Sequence, residues 1–291
     1  MVMFPRRSVL LTGFVLASCT LAGCGSSSSS SNPTSTPAAA PGPAKSANTA
    51  SLGLMSPGTL TVGTDPTYPP MESGDINNPG TCVGADVDLA QALAMQMGLK
   101  GAHMVKGSFD TLLVAMDAKR YDVVMSSMND TPARAKTHAF VDYMTASEGI
   151  LVKKGSPIHA DNYSALCGKT VTVQRGTTEL DGLTQANKTC KSKITILPFT
   201  GDTDAYQAFA VGHSDAYTSD LPVIANYIKL HPGVYRQAGK AITAGEKYGI
   251  ALRMGDTALK AALTKALAAI RANGKYAAIL KKWGVGGASL R

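Results

Sequence analysis

Small hydroxyl and amide side chains, followed by an arginine, come directly after a short apolar run at 121–125. These polar residues are Ser126, Ser127, Asn129, Thr131 and Arg134. The run is rich in β-branched residues and predicts a buried strand. Thr131 before Pro132 is typical of a helix start, with the hydroxyl as N-cap. Free N–H groups, hydroxyls and a guanidinium together can bind a carboxylate, although a surface loop with a solvated arginine is the alternative.

Three further predicted strands end in residues with binding chemistry. Glycine and threonines follow the strand predicted at 166–174, and Thr178 with Asp181 forms an approximate capping box beside Glu179. Asp65 ends the strand predicted at 59–64. Asp220 ends the strand predicted at 214–220, where it either caps the following helix or faces a ligand, or does both.

These positions belong to a chain in which predicted strands and helices alternate. Strands are predicted at 59–64, 102–106, 121–125, 149–153, 166–174, 195–199, 214–220 and 248–253. Helices are predicted at 85–97, 108–116, 204–211, 221–230, 256–273 and 276–283. Such alternation predicts a parallel α/β sheet, in which ligands bind at the carboxyl ends of the strands. Asp65, Phe109 and the segment 126–129 lie at those ends.

The first part of the chain is typical of an exported protein. A basic start is followed by a short apolar run and by Leu-Ala-Gly-Cys24, which resembles the lipobox of bacterial lipoproteins. We therefore predict a signal peptide at 1–23 and a lipidated, disordered tether at 24–57, which is rich in serine, proline and alanine. An ordinary cleaved signal is the alternative, and the choice between general and twin-arginine export stays open.

The charge and cysteine content narrow the possible functions. Loss of Arg6 and Arg7 with the signal lowers the formal net charge from +8 to +6, and the excess is dispersed, so we expect no nucleic-acid binding. Cys167 and Cys190 bracket one strand–helix unit and are the natural disulfide pair of an exported chain, which leaves Cys82 free. No metal-ligand spacing is present, and we expect neither a metal nor a cofactor.

Several motifs, in this order, resemble the polar amino-acid solute-binding proteins of ABC importers (bacterial extracellular solute-binding protein family 3). The resemblance covers nearly all of 58–286. It includes Gly-Thr-Asp-Pro-Thr-Tyr-Pro-Pro-Met-Glu at 63–72, Ser126 to Arg134, Gly-Thr-Thr at 176–178 and Asp-Ala-Tyr-Thr-Ser-Asp at 215–220. The lysine/arginine/ornithine- and histidine-binding members are the most similar. Asn129-Asp130 departs from the Ser/Thr-Ile that is usual in the family.

The resemblance implies an α/β, two-lobe periplasmic-binding-protein fold with two hinge strands (type II). Lobe 1 would comprise 58–147 and 245–291, and lobe 2 would comprise 152–242. The hinges would lie near 148–151 and 243–247. We expect a monomer that closes on a free amino acid and delivers it to an ABC permease. The lipid would hold the protein at the membrane, outside the cell or in the periplasm.

The resemblance also implies ligand contacts. Arg134, with Ser127, Asn129 and Thr178, would hold the α-carboxylate, because the guanidinium pairs with both carboxylate oxygens. Asp220, with groups near Ser126 and Ser127, would hold the α-ammonium. Phe109 and Tyr68 would cover the ligand side chain. Asp65, supported by Glu179, would contact a cationic tip, which favours a basic amino acid; alternatively Asp65 caps its own turn.

Two other functions fit the same scaffold. The first is a cyclohexadienyl (prephenate or arogenate) dehydratase-like enzyme, which would need a positioned acid or base such as Glu72 or Glu179. The second is an amino-acid sensor that works without a transporter. We expect a binding protein and not an enzyme.

Overall fold

The computed structural model describes residues 52–74, 78, 82–243 and 245–290. The predicted signal peptide, Cys24 and most of the predicted tether lie outside the described residues. Within the part that is described, no helix is both long and apolar enough to cross a membrane. The strands are β1 Thr59–Thr64, β2 Thr67–Tyr68, β3 Glu72–Ser73, β4 Gly101–Lys106, β5 Val123–Val124, β6 His138–Ala146, β7 Glu148–Lys153, β8 Thr170–Gln174, β9 Thr195–Phe199, β10 Ala216–Asp220, β11 Tyr235–Gln237 and β12 Glu246–Arg253. The α-helices are α1 Ala85–Gln96, α2 Leu112–Asp117, α3 Thr178–Thr189, α4 Asp202–Ala210, α5 Leu221–Leu230, α6 Thr257–Ala272 and α7 Lys275–Trp283.

Lobe 1 is built on a five-stranded sheet in the order β4-β1-β5-β12-β6. β4, β1 and β5 are parallel, β12 runs antiparallel to β5, and β6 runs antiparallel to β12. Both faces are covered: α1, α6 and α7 pack on one side and α2 packs on the other. Neighbouring residues of β5 therefore enter different cores, with Val123 packed beneath α1 and Val124 packed beneath α2.

Lobe 2 is built on a second five-stranded sheet in the order β11-β7-β10-β8-β9. β10, β8, β9 and β11 run in one direction, and β7, which lies between β10 and β11, runs antiparallel to both of them. α3 covers one face through Leu183, which packs with Val171 and Val173 of β8. α4 and α5 cover the other face, where Tyr206 stacks on Tyr227 with ring centroids 3.5 Å apart.

The chain passes between the lobes twice. The first crossing is Ser147, between β6 of lobe 1 and β7 of lobe 2, and the second joins β11 to β12 through 238–245. The two crossings are hydrogen-bonded to each other, because Ile242 N donates to Glu148 O (2.9 Å) and Glu148 N donates to Thr243 Oγ1 (3.1 Å). Both lie beside the expected hinges; the precise limits of the two lobes remain a prediction.

Three sequence-based expectations about the elements were wrong. The sheets are mixed and not parallel, since β6, a nine-residue strand that was not predicted, and β12 run antiparallel to their neighbours. Thr131 does not begin an α-helix: its Oγ1 accepts from Arg134 N (3.2 Å), but only a 3-10 turn, Arg134–Lys136, forms before β6. The N-cap of α3 is Thr177 and not Thr178, and Thr177 Oγ1 accepts from Leu180 N at 3.3 Å.

The predicted disulfide is present in lobe 2. Cys167 follows the 3-10 turn Tyr163–Leu166, and Cys190 is the residue after α3, so that the bond connects the two ends of this unit. The Cα atoms of the two cysteines are 5.5 Å apart, which lies within the normal range for a disulfide. Cys82 is half-buried and unpaired.

Candidate functional site

A cavity with an empty volume of about 280 Å³ lies between the two lobes. Most of its lining consists of residues that the sequence singled out. From lobe 1 these are Asp65, Tyr68, Glu72, Phe109, Ser126, Ser127 and Asn129, and from lobe 2 they are Gln174, Thr177, Glu179 and Asp220. A larger groove of about 850 Å³ opens beside the crossings, but no carboxylate is among its described lining residues. The smaller cavity therefore concentrates the charged groups.

Asp65 is held at the end of β1 by both lobes. Its Oδ2 accepts from Phe109 N (3.1 Å) and from Gln174 Nε2 (2.8 Å). Burial raises the pKa of the Asp65 carboxyl, and the hydrogen bonds from Thr67, Phe109 and Gln174 oppose that shift. Asp65 thus reaches across the cleft to the end of β8.

Asp220 is buried at the opposite side of the cavity, where β10 meets α5. Its Oδ2 accepts from two phenol groups of lobe 1, those of Tyr68 (2.8 Å) and Tyr248 (2.7 Å). Its Oδ1 has no hydrogen-bond partner among the described residues. The side chain makes no capping bond to α5, so of the alternatives considered for Asp220 the role of helix cap is not realised. Burial raises the pKa of Asp220 to about 7, and the two tyrosines oppose the shift.

Glu179 is the second acid that lobe 2 contributes. It lies in the first turn of α3, is only 3% exposed, and its Oε1 has no partner in the described structure. Burial and the nearby Asp220 carboxylate raise the pKa of Glu179 well above its usual value. Its electrostatic neighbours also include Arg134, on which the charges of Glu179 and Asp220 both act. Glu179 therefore lies at the Asp220 end of the cavity.

Arg134 bridges the lobes instead of lining the cavity. Nη1 donates to Asn129 O (2.9 Å), and Nη2 donates to Gly176 O of lobe 2 (2.9 Å). The guanidinium carbon lies 5.6 Å from the centroid of the Phe109 ring, which is a cation–π distance. Each terminal nitrogen carries two N–H groups, so each keeps a donor for a carboxylate. Thr178 is half-buried and likewise lies outside the lining, where Thr177 takes the inner position.

Three lining residues were not proposed as ligand contacts from the sequence. Thr177 adjoins a residue that was proposed, and Glu72 was considered only as an enzyme acid. Gln174 looked like an ordinary end of a strand. A polar residue at the carboxyl end of a parallel strand, as Gln174 is in β8, was the available signal. Within the described residues, no group of three His, Cys, Asp or Glu side chains is arranged to hold a metal ion.

The lobes also touch at the rim of the cleft, two residues after Asp65 in the chain. Thr67 of β2 accepts at Oγ1 from Asp202 N, at the start of α4 (3.0 Å). Its carbonyl oxygen accepts from Thr203 Oγ1 (2.7 Å). These two bonds join β2 of lobe 1 to the first turn of α4 in lobe 2. The lobes are therefore held together both inside the cavity and at its rim.

Comparison with known proteins agrees with this arrangement. The sequence profile of the bacterial extracellular solute-binding proteins, family 3, matches residues 60–286. The chain belongs to this family. The histidine-binding periplasmic protein of Salmonella typhimurium is 33% identical over 235 residues, which are 78% of this chain and 88% of that protein. The lysine/arginine/ornithine-binding periplasmic protein of Escherichia coli is also 33% identical, with the same coverage.

Solved structures place this solute-binding protein in the same fold. An ancestral arginine-binding protein bound to arginine is 34% identical, with a TM-score of 0.71 over 78% of this chain and 98% of that chain. An ancestral amino acid-binding protein, described as a precursor of cyclohexadienyl dehydratase, is 35% identical with a TM-score of 0.66, over 78% of this chain and 95% of that chain. The predicted two-lobe periplasmic-binding-protein fold is thereby confirmed, as is the membership of an amino-acid-binding family.

Proposed function

We propose that this solute-binding protein captures a basic amino acid between its lobes and delivers it to an ABC permease. The observation that carries the proposal is the concentration of buried carboxyl groups around the cavity, those of Asp65, Glu72, Glu179 and Asp220. Asp220 Oδ1 and Glu179 Oε1 have no hydrogen-bond partner among the described residues. Because buried carboxylates without partners are costly, a ligand that brings two cationic groups suits this cavity.

The proposed contacts follow the polarity of the cavity. The α-ammonium pairs with Asp220, near Ser126, Ser127 and Glu179. The ligand carboxylate is held by the free N–H groups of Arg134 with Ser127, Asn129 and Thr178. The cationic tip of the side chain then takes the place of Gln174 Nε2 at Asp65, while Tyr68 and Phe109 cover the aliphatic part of the ligand.

A ligand screen followed by one substitution tests the proposal. The melting temperature should rise most with arginine, lysine, ornithine or histidine, because a ligand that binds only the folded protein stabilises it. Asp65→Asn should then weaken arginine binding far more than glutamine binding. An ancestral arginine-binding protein has been crystallised with glutamine, which makes glutamine the informative comparison. Equal losses for both ligands, or a wild-type preference for glutamine, would contradict the basic-ligand assignment.

The proposed delivery role includes a lipid anchor at Cys24. The motif Leu-Ala-Gly-Cys24 and the charge-poor segment that follows it support this anchor. Cys24→Ser should move the protein from the membrane fraction to the soluble extracytoplasmic fraction. A variant that fractionates like the wild type would exclude lipidation as the means of attachment.

A dehydratase-like enzyme is the second candidate. Burial raises the pKa of Glu72 and Glu179 well above the usual value, so that both can present an acidic proton at neutral pH. The relatives quoted above are named as binding proteins, which favours capture over catalysis. Incubation with prephenate or arogenate, followed by mass spectrometry, decides between them: product formation abolished by Glu179→Gln would favour the enzyme.

A further inference from the structure

A buried pair of carboxyl groups lies at the lobe 1 wall of the cavity. Glu72 of β3 is part of the cavity lining, Asp86 lies in the first turn of α1, and both are fully buried and interact electrostatically. Burial and the neighbouring Asp86 raise the pKa of Glu72 well above its usual value, and burial raises the pKa of Asp86 to about 6. Both shifts favour the protonated carboxyl form, because two buried like charges side by side are costly.

The Asp86 carboxylate fixes the backbone of Ser127. Asp86 Oδ2 accepts from Ser127 N (2.7 Å), and it also accepts from the hydroxyls of Ser127 (3.3 Å) and Tyr143 (2.7 Å). Ser127 has a φ of +47°, in the left-handed region that residues other than glycine rarely adopt. Such a conformation persists only when its surroundings hold it, and Asp86 supplies that support.

Glu72 continues the network toward the first strand. Its Oε1 accepts from Ser126 Oγ (2.8 Å). Ser126 Oγ in turn accepts from Asp65 N (3.0 Å). The bonds of Asp86 to Ser127, of Glu72 to Ser126 and of Ser126 to Asp65 thus connect α1 and β3 to the ends of β5 and β1. Three residues expected to bind the ligand, Asp65, Ser126 and Ser127, take their positions from these two carboxyl groups.

We propose that Glu72 and Asp86 are positioning residues for ligand capture, which hold Ser126, Ser127 and the Asp65 backbone in binding geometry through their hydrogen bonds to the two serines. The proposal rests on the amino-acid-binding function proposed above. The titratable groups that face Glu72 are Asp86 from α1, Asp65 after β1 and Tyr143 from β6. Deprotonation of both carboxyl groups would place like charges side by side, so the support weakens at alkaline pH.

Calorimetric titration of the mature protein with L-arginine, at several values between about pH 6 and pH 9, tests this proposal. Glu72→Ala should weaken binding about tenfold or more at all pH values, since it leaves buried partners unsatisfied. Glu72→Gln should recover most of that loss, because its amide oxygen accepts from Ser126 and its NH₂ group donates to Asp86. The glutamine cannot lose a proton. Its affinity relative to that of the wild type should therefore increase toward alkaline pH.

Asp122→Asn is the matched control. Asp122 is also fully buried in lobe 1 and accepts from Thr61 N (2.8 Å) and Met55 N (2.8 Å), but it does not line the cavity. Its substitution should lower the melting temperature without changing the ratio of affinities across the pH range. A change in that ratio similar to the one for Glu72→Gln would overturn the proposal, because it would make the effect a general one.

A ligand-free measurement separates this proposal from the proposed function. The ¹H–¹⁵N resonance of the Ser127 amide, which donates to Asp86, should move strongly in Glu72→Ala and much less in Glu72→Gln. An unchanged resonance in Glu72→Ala would overturn the positioning role. Glu72→Gln binding arginine as weakly as Glu72→Ala would also overturn it, since Glu72 would then contact the ligand directly. A wild type that binds no basic amino acid contradicts the proposed function alone, because the Ser127 resonance still decides the positioning role.

Discussion

At the scale of single residues, the proposed pairing of Asp220 with the ligand α-ammonium predicts how binding responds to pH. Its pKa is raised to about 7, so it is largely protonated at pH 6. An α-ammonium pairs with the charged form, and binding must therefore release a proton. Calorimetry in two buffers of different ionisation enthalpy should detect this proton at about pH 6 and no release from Asp220 at about pH 8.5.

Tyr248→Phe provides the matching variant for this proton release. The phenol of Tyr248 donates to Asp220 Oδ2 and lowers its pKa. Removing the phenol should raise that pKa further, so proton release should persist to a higher pH than in the wild type. Binding enthalpies that do not depend on the buffer at about pH 6 would show that no ammonium group pairs with Asp220.

Arg134→Lys tests the predicted carboxylate anchor. Lysine keeps the charge but cannot donate to Asn129 O, Gly176 O and a carboxylate in one plane. We expect affinity to fall about thirtyfold or more, since loss of a desolvated charged partner costs roughly 2–5 kcal/mol. Titration calorimetry measures this affinity, and a near-native value would mean that the ligand carboxylate binds elsewhere. Arg253→Lys is the control, because Arg253 also donates to two carbonyls, Met116 O and Tyr121 O, outside the cavity.

The sequence was sufficient to predict those cavity residues that lie at the ends of strands. Asp65, Ser126 and Asp220 were found because the ends of predicted strands converge in an α/β fold. Glu72 was not found as a support, because its role depends on a short β2–β3 hairpin that brings it against α1. The orientation of Arg134 could not be predicted from the sequence either, because Gly176, one of its two partners, lies 42 residues away in the other lobe.

At the scale of elements, the contact between β2 and α4 bears on how tightly the lobes close. Thr203→Val removes the 2.7 Å bond to Thr67 O, which exists only when the lobes are together. Affinity for arginine and glutamine should fall by the same factor, about two- to tenfold, as expected for one hydrogen bond. A change in the ratio of the two affinities would mean that Thr203 affects the cavity itself.

Thr264→Val is the control for this element. Its hydroxyl donates to Lys260 O (2.8 Å) within α6, on an exposed surface of lobe 1. The substitution removes a threonine hydroxyl of comparable geometry without touching the cleft. Ligand affinity should therefore equal that of the wild type.

Helices and strands were predicted where the local sequence pattern is strong. α1 and α6 were predicted to within two residues, because their apolar spacing and their boundaries agree. β6 was missed because its nine residues include His138, Asp142 and Thr145, so that no apolar run marks it. Thr131 was identified as a capping residue, but no α-helix follows it. Only three residues separate the first turn after Thr131 from β6.

At the scale of the whole molecule, buried acids make the ligand-free protein sensitive to alkali. Burial raises the pKa of Asp86 to about 6 and that of Asp202 to about 8. A pKa that is raised in the folded state favours the protonated form, so these groups support folding below their unfolded pKa and lose that support as pH rises through the folded value. The free energy of unfolding should therefore fall from pH 6 to pH 8, by at most about 1.4 kcal/mol per pH unit for each titrating group.

Urea unfolding without and with arginine measures this dependence. A ligand that pairs with Asp220 holds its charged form, so arginine should make the slope of stability against pH less steep. An unfolding free energy that stays constant or rises between pH 6 and pH 8 would contradict the assignment of these groups as protonated acids. Tyr217→Phe serves as a comparison, because it removes the phenol that donates to Asp202 (2.7 and 2.6 Å) and should increase the slope.

The two crossings between the lobes limit how the lobes can move relative to each other. Two separate flexible connections would let the lobes twist, slide and bend independently. Here the hydrogen bonds of Glu148 to Ile242 and Thr243 tie the connections side by side, so rotation about one common axis is the motion that leaves them intact. We therefore expect one angle to describe the opening of the lobes. Every pair of probes placed on opposite lobes should accordingly report the same trajectory, whichever amino acid drives the closure.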